Sequence, residues 1–127
     1  MAGGTSASAP ASWEKLRDAA LVDLDALIHS ATAARGYLRE YQAILEKNRS
    51  HLAGGGRASG MTALFDIRAV RTSATDHLKR IEQARGISRL SLWRLQLAEG
   101  ATIAEIARLW GFSRQLVSRA LASGPER

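Results

Sequence analysis

The sequence predicts an all-α protein: a long antiparallel helical hairpin, coiled-coil-like, followed by a three-helix helix-turn-helix bundle without a wing. Three observations carry that expectation. Residues 12–52 hold no proline and one glycine, Gly36, while apolar or small residues recur three and four positions apart. After a glycine-rich break, Thr62 to about Arg85 repeats the same spacing. Near the C-terminus, TIAEIARLWGFSRQLVSRAL (102–121) carries start and stop signals for two short helices around a tight turn.

The chain divides on this reading into a disordered tail (1–11), a helical hairpin for dimerisation or partner binding (12–86) and a helix-turn-helix domain (87–127). The tail is small-residue and serine-rich, too poor in apolar side chains to pack. Ser12 is placed to cap the first helix, and its seam is Ala20, Leu24, Leu27, Ala31, Ala34, Leu38, Tyr41 and Leu45. Small Ala31 and Ala34 suit close approach of a partner helix.

AGGGRASG (53–60) breaks the helix, because three consecutive glycines lose too much backbone entropy to stay helical. It lacks the Gly-Lys-Ser/Thr ending of a phosphate-binding loop, so it reads as a connection. In the second helix Leu64, Ile67, Ala74, Leu78 and Ile81 form the seam; Arg71 interrupts it, with Val70 beside it to take over the contact. Gly86 is read as the helix end. A first helix of about 40 residues against a second of about 24 spans ~60 Å against ~36 Å. The excess length leaves Trp13 to about Leu27 as an overhang whose apolar face, Trp13, Leu16, Ala20 and Leu24, needs a partner, either the helix-turn-helix or a second subunit.

A third helix runs from Ser88 to about Glu99 with Leu90, Trp93 and Leu97 inward. Thr102 and Glu105 then form a capping box. Ile103, Ile106, Ala107 and Trp110 share one face, Gly111 ends the helix, and Ser113 caps the last one, with Phe112 stapled on Val117. Leu116, Val117, Ala120 and Leu121 are read as inward, leaving Arg114, Gln115, Ser118 and Arg119 outward. After Leu121 only ASGPER follows, too short for a wing.

This stretch resembles the DNA-binding end of serine resolvases and invertases, and region 4 of bacterial sigma factors. It has their Glu-Ile-Ala, Gly-aromatic-Ser-Arg and Val-Ser-Arg spacing over the last third of the chain; neither a recombinase catalytic domain nor other sigma regions accompany it. The resemblance implies a last helix that reads the major groove of double-stranded DNA. The candidate DNA-binding residues are Ser113, Arg114, Gln115, Ser118 and Arg119, with Thr102, Arg108 and Arg94 flanking. Arginine forks onto guanine and glutamine onto adenine, and the amides at a helix N-terminus suit phosphate.

Charge agrees with a polyanionic partner. Of the +6 net charge, residues 1–52 contribute six Lys/Arg against six Asp/Glu, and residues 53–127 twelve against six. The chain has no cysteine, so disulfides and thiolate metal sites are excluded. His29, His51 and His77 make no metal-ligand pair, no nucleophile–base set is evident, and neither a cofactor nor an enzyme activity is expected. No apolar run is long enough to span a membrane. The expected protein is a bacterial, cytoplasmic, nucleoid-associated regulator or DNA-organising factor acting as a homodimer. The competing expectation is a coiled-coil adaptor whose N-terminal helices bind a second protein, with the last helices only structural.

Overall fold

In a computed structural model the chain is all-helical, with no strand among the described residues, which are 3–123, their side chains from Ser12 on. The order is α1 (Gly3–Ala53), a short 3-10 helix (Ala58–Ala63), α2 (Ile67–Ala98), α3 (Ile103–Trp110) and α4 (Arg114–Ala122). Of the tail read at 1–11, residues 1 and 2 lie outside the described residues. The backbone from Gly3 is already helical, so α1 starts before Ser12. Once a helix is nucleated, each further residue adds a backbone hydrogen bond, and extension needs no cap at Ser12.

α1 ends where the glycines begin, with the Gly56 amide bonded to the His51 carbonyl at 2.8 Å. A Cβ on Gly56 would fall 2.3 Å from the His51 ring, so any larger residue there displaces that ring. α2 starts later than the sequence suggests. Thr62 donates to the Ser59 carbonyl at 3.2 Å, and Asp66 caps α2 by accepting from the Ala69 amide at 3.0 Å.

The larger correction is at Gly86. α2 does not end there but runs on to Ala98, absorbing the separate third helix expected from Ser88. Glycine inside a helix costs about 1 kcal/mol relative to alanine. The segment beyond it buries Ser88, Leu90, Ser91 and Trp93, and that packing outweighs the local cost.

The chain forms two compact units, one from residues up to Leu27 with those from Ala84 on, the other Ile28–Gln83. Both long helices contribute to each unit, whereas a cut at 86/87 rests on the helix end that is not there. In Ile28–Gln83, the Tyr37 hydroxyl donates to the Val70 carbonyl at 2.9 Å, and the Tyr37 ring stacks on Tyr41 and His77 at 5.8 and 4.6 Å. Burial and the neighbouring Tyr41 and Glu40 push the Tyr37 phenol above its ordinary pKa.

The covered face of α1 differs by one residue from the expected seam at alternate positions. One stripe of buried and half-buried residues runs along it, Trp13, Leu16, Ala20, Asp23, Leu27, Ser30, Ala34, Tyr37, Tyr41, Ile44, Asn48 and His51, spaced three and four apart throughout, with half-buried Ala19 beside it. Leu24 is also half-buried, but Ala31, Leu38 and Leu45 lie exposed beside the seam. On α2, Val70 and His77 take the places expected of Arg71 and Leu78, and both of those are exposed. Tyr37 holds its seam position with its hydroxyl satisfied by the Val70 carbonyl, whereas Asn48 holds its own with its side-chain oxygen buried and without a hydrogen-bond partner among the described residues.

In the other unit, the overhang expected from Trp13 to Leu27 is covered by the continuation of α2. Trp13 Nε1 donates to Glu99 at 2.9 Å, Ser91 donates to buried Asp23, and Ala20 is buried. Leu90, Trp93, Ile106, Ala107 and Val117 form the core here, with Ile103, Trp110, Phe112, Ala120 and Leu121 packed around it.

Candidate nucleic-acid interface

Local chemistry fixes α3 and α4. The Glu105 amide donates to Thr102 Oγ1 at 3.1 Å, and the Thr102 amide donates to Glu105 Oε1 at 2.8 Å, which completes the capping box. That backbone bond holds the Glu105 carboxyl below the ordinary carboxylate range, helped by the Thr102 side chain and by Arg108. Gly111 sits at φ 77°, left-handed backbone that a side chain rarely adopts, and its amide bonds to the Ala107 carbonyl. Two residues later the Ser113 hydroxyl accepts from the Leu116 amide at 3.1 Å and starts α4.

The aromatic residues clamp these short helices. Trp93 meets Trp110 and Phe112 edge to face, centroids 6.1 and 5.5 Å away. Trp110 Nε1 donates to Gln96 Oε1 at 2.9 Å, tying the end of α3 to α2. The Arg89 guanidinium lies 4.9 Å from the Phe112 ring centre and 5.6 Å from that of Trp93. With Trp93 buried, base stacking by that ring is excluded.

Val117 is fully buried and turns α4 so that its other faces meet solvent. Arg114, Gln115, Ser118 and Arg119 are all exposed. Thr102, Arg108 and Ser113 are exposed as well, but the Thr102 and Ser113 hydroxyls are engaged as caps. Arg94 is half-buried on α2. Between Thr102 and Ser123 the charges are Arg108, Arg114 and Arg119 against Glu105 alone, a cationic surface on a rigid base.

Leu116 departs from expectation: it is 41% exposed rather than inward. With Val117 pinned in the core, its neighbour lies about 100° around the helix, off the buried face. Leu116 therefore joins the exposed residues of α4, an apolar group beside polar ones. The tight Val117, Ala120, Leu121 spacing was the signal for it.

No family model, curated protein or solved structure matches the chain. The site therefore stands on its own geometry. Among the described residues no cluster of His, Asp and Glu is arranged to hold a metal ion, and no helix is long and apolar enough to cross a membrane.

Proposed function

We propose that α3 and α4 are a helix-turn-helix and that the protein is a sequence-specific DNA-binding protein, a regulator or DNA-organising factor. The observation that carries this reading is the division of α4: Val117 anchors it fully buried, while Arg114, Gln115, Ser118 and Arg119 stand exposed together. In this motif the N-terminal half of the second helix enters the major groove. There Arg114 and Arg119 fork onto guanine, Gln115 onto adenine, and Leu116 meets a thymine methyl. Arg108, Arg94, Thr102 and Ser113 lie along the flanking phosphates. The 28–83 portions of α1 and α2 form an antiparallel hairpin that pairs two copies, doubling a module too small to bind tightly alone.

Titration with duplex DNA at two salt concentrations tests this. Binding that weakens steeply with salt supports it, because neutralised phosphates release counterions; no binding at low salt sinks it. A second reading, the protein-interaction adaptor, is favoured by one observation, the exposed leucines of α1 and α2 within Ile28–Gln83.

A further inference from the structure

The unit formed by residues up to Leu27 and from Ala84 on holds a cavity of about 320 Å³. Trp110 and Phe112, on either side of the Gly111 turn, form part of its wall, and Leu24, Leu27 and Leu92 add to the apolar lining. All five are half-buried. Ser88 also lines it, its hydroxyl donating to the Arg85 carbonyl at 3.1 Å. No carboxylate is among the lining residues described.

Arg89 sits half-buried in the same wall. Its guanidinium lies over Phe112 and Trp93, at 4.9 and 5.6 Å from the ring centres, and those rings hold it in place. Among the described residues it has neither a hydrogen bond nor an ion pair. Its Nη2 lies 3.9 Å from the point a Cβ on Gly86 would take, so no side chain of Gly86 covers it. Arg85 is exposed at the rim and already has a partner, which leaves Arg89 as the anchor for an incoming anion.

We infer that this cavity binds a small organic carboxylate with an apolar body, the carboxylate on Arg89 and the body against Leu24, Leu27, Leu92 and Trp110. Small molecules occupy sites of this kind, mostly apolar with a few polar groups that orient the ligand. The planar fork of a guanidinium matches the two oxygens of a carboxylate, and such charge-assisted bonds strengthen where water is partly excluded. Inorganic phosphate would leave the apolar wall uncovered, and a neutral apolar molecule would leave the guanidinium without an acceptor. The site is independent of the DNA reading.

Calorimetric titration of the full chain with naphthoate, without DNA, tests it, with naphthamide as the uncharged counterpart. Naphthoate is expected to bind once per chain with sub-millimolar affinity. Naphthamide is expected to bind at least about tenfold more weakly, the worth of one charge-assisted hydrogen bond. Arg89→Met keeps an apolar stem over Phe112 and Trp93 but removes the charge, and is expected to lose the preference for acid over amide. Arg35→Met, at an exposed arginine of the other unit, is expected to keep it. Leu24→Glu places a repelling carboxylate in the wall and is expected to lose the preference as well, which decides the matter if Arg89→Met does not fold. No binding of naphthoate, equal affinity for acid and amide, or a preference unaltered in the folded Arg89→Met or Leu24→Glu protein would overturn the inference. Each of these results leaves the DNA reading to its own titration.

Discussion

Ser91 donates a hydrogen bond to Asp23, and both side chains are buried, one on α2 and the other on α1. A buried carboxylate is costly unless hydrogen-bonded. Removing the hydroxyl with Ser91→Ala is expected to lower stability by about 1–3 kcal/mol, the cost of leaving a buried acceptor short of a donor. Urea denaturation followed by circular dichroism measures it. Ser118→Ala, exposed on α4, is the control and is expected to change little.

Gly86 lies inside α2, and a Cβ there has only the end of the Arg89 side chain nearby, at 3.9 Å. Gly86→Ala is therefore expected to raise stability by about 0.5–1 kcal/mol. A helix that ended at Gly86 would lose stability instead, so the sign of the change in melting temperature decides between a continuous and a broken helix.

Glu105 gives a pH dependence with a definite sign. Its carboxyl pKa is lowered in the fold, first by the Thr102 backbone bond. The ionised cap therefore stabilises the fold above the unfolded-chain value and loses that contribution as pH falls through the folded one. Between those two values the melting temperature of the unsubstituted protein is expected to fall more than that of Glu105→Gln, which cannot titrate. Parallel curves would contradict the assignment.

Tyr37→Phe removes the bond to the Val70 carbonyl while keeping the ring between Tyr41 and His77. The expected loss is about 1 kcal/mol, the net worth of an ordinary hydrogen bond, read by the same urea titration.

These contrasts mark where the sequence was legible. The Thr102–Glu105 box, the Gly111 turn and the Ser113 cap depend on residues within four positions of one another, so local chemistry specifies them. The end expected at Gly86 failed because its outcome depends on Leu90 and Trp93 packing against α3 and α4, which no local propensity encodes. The seam of α1 differs by one residue at alternate positions: Asp23 and Ser30 stand where Leu24 and Ala31 are expected, and Tyr37 and Ile44 where Leu38 and Leu45 are. A hydropathy pattern assigns Asp23 and Ser30 to solvent, and for Asp23 it is the hydrogen bond from Ser91 that makes it a seam residue. The exposed face of α4 was legible apart from Leu116, which hydropathy turned inward.

On the proposed DNA contacts, Arg114→Ala and Arg119→Ala are each expected to weaken binding to a preferred site about 5- to 150-fold, equivalent to about 1–3 kcal/mol per base-reading fork. Helical circular dichroism is expected to stay unchanged. Arg108→Ala is expected to weaken all sequences alike and reduce the salt slope by about 1. Unchanged affinity at the preferred site would remove Arg114 and Arg119 from their roles.

The most direct measurement is selection of duplexes from a random-sequence pool by the purified protein, with affinity for the selected duplex followed at two salt concentrations. The expected result is an enriched inverted repeat, its half-sites one DNA turn or a multiple apart, bound in a salt-sensitive manner. A pool that returns unenriched, with no binding at the lower salt, would contradict a DNA-reading α4.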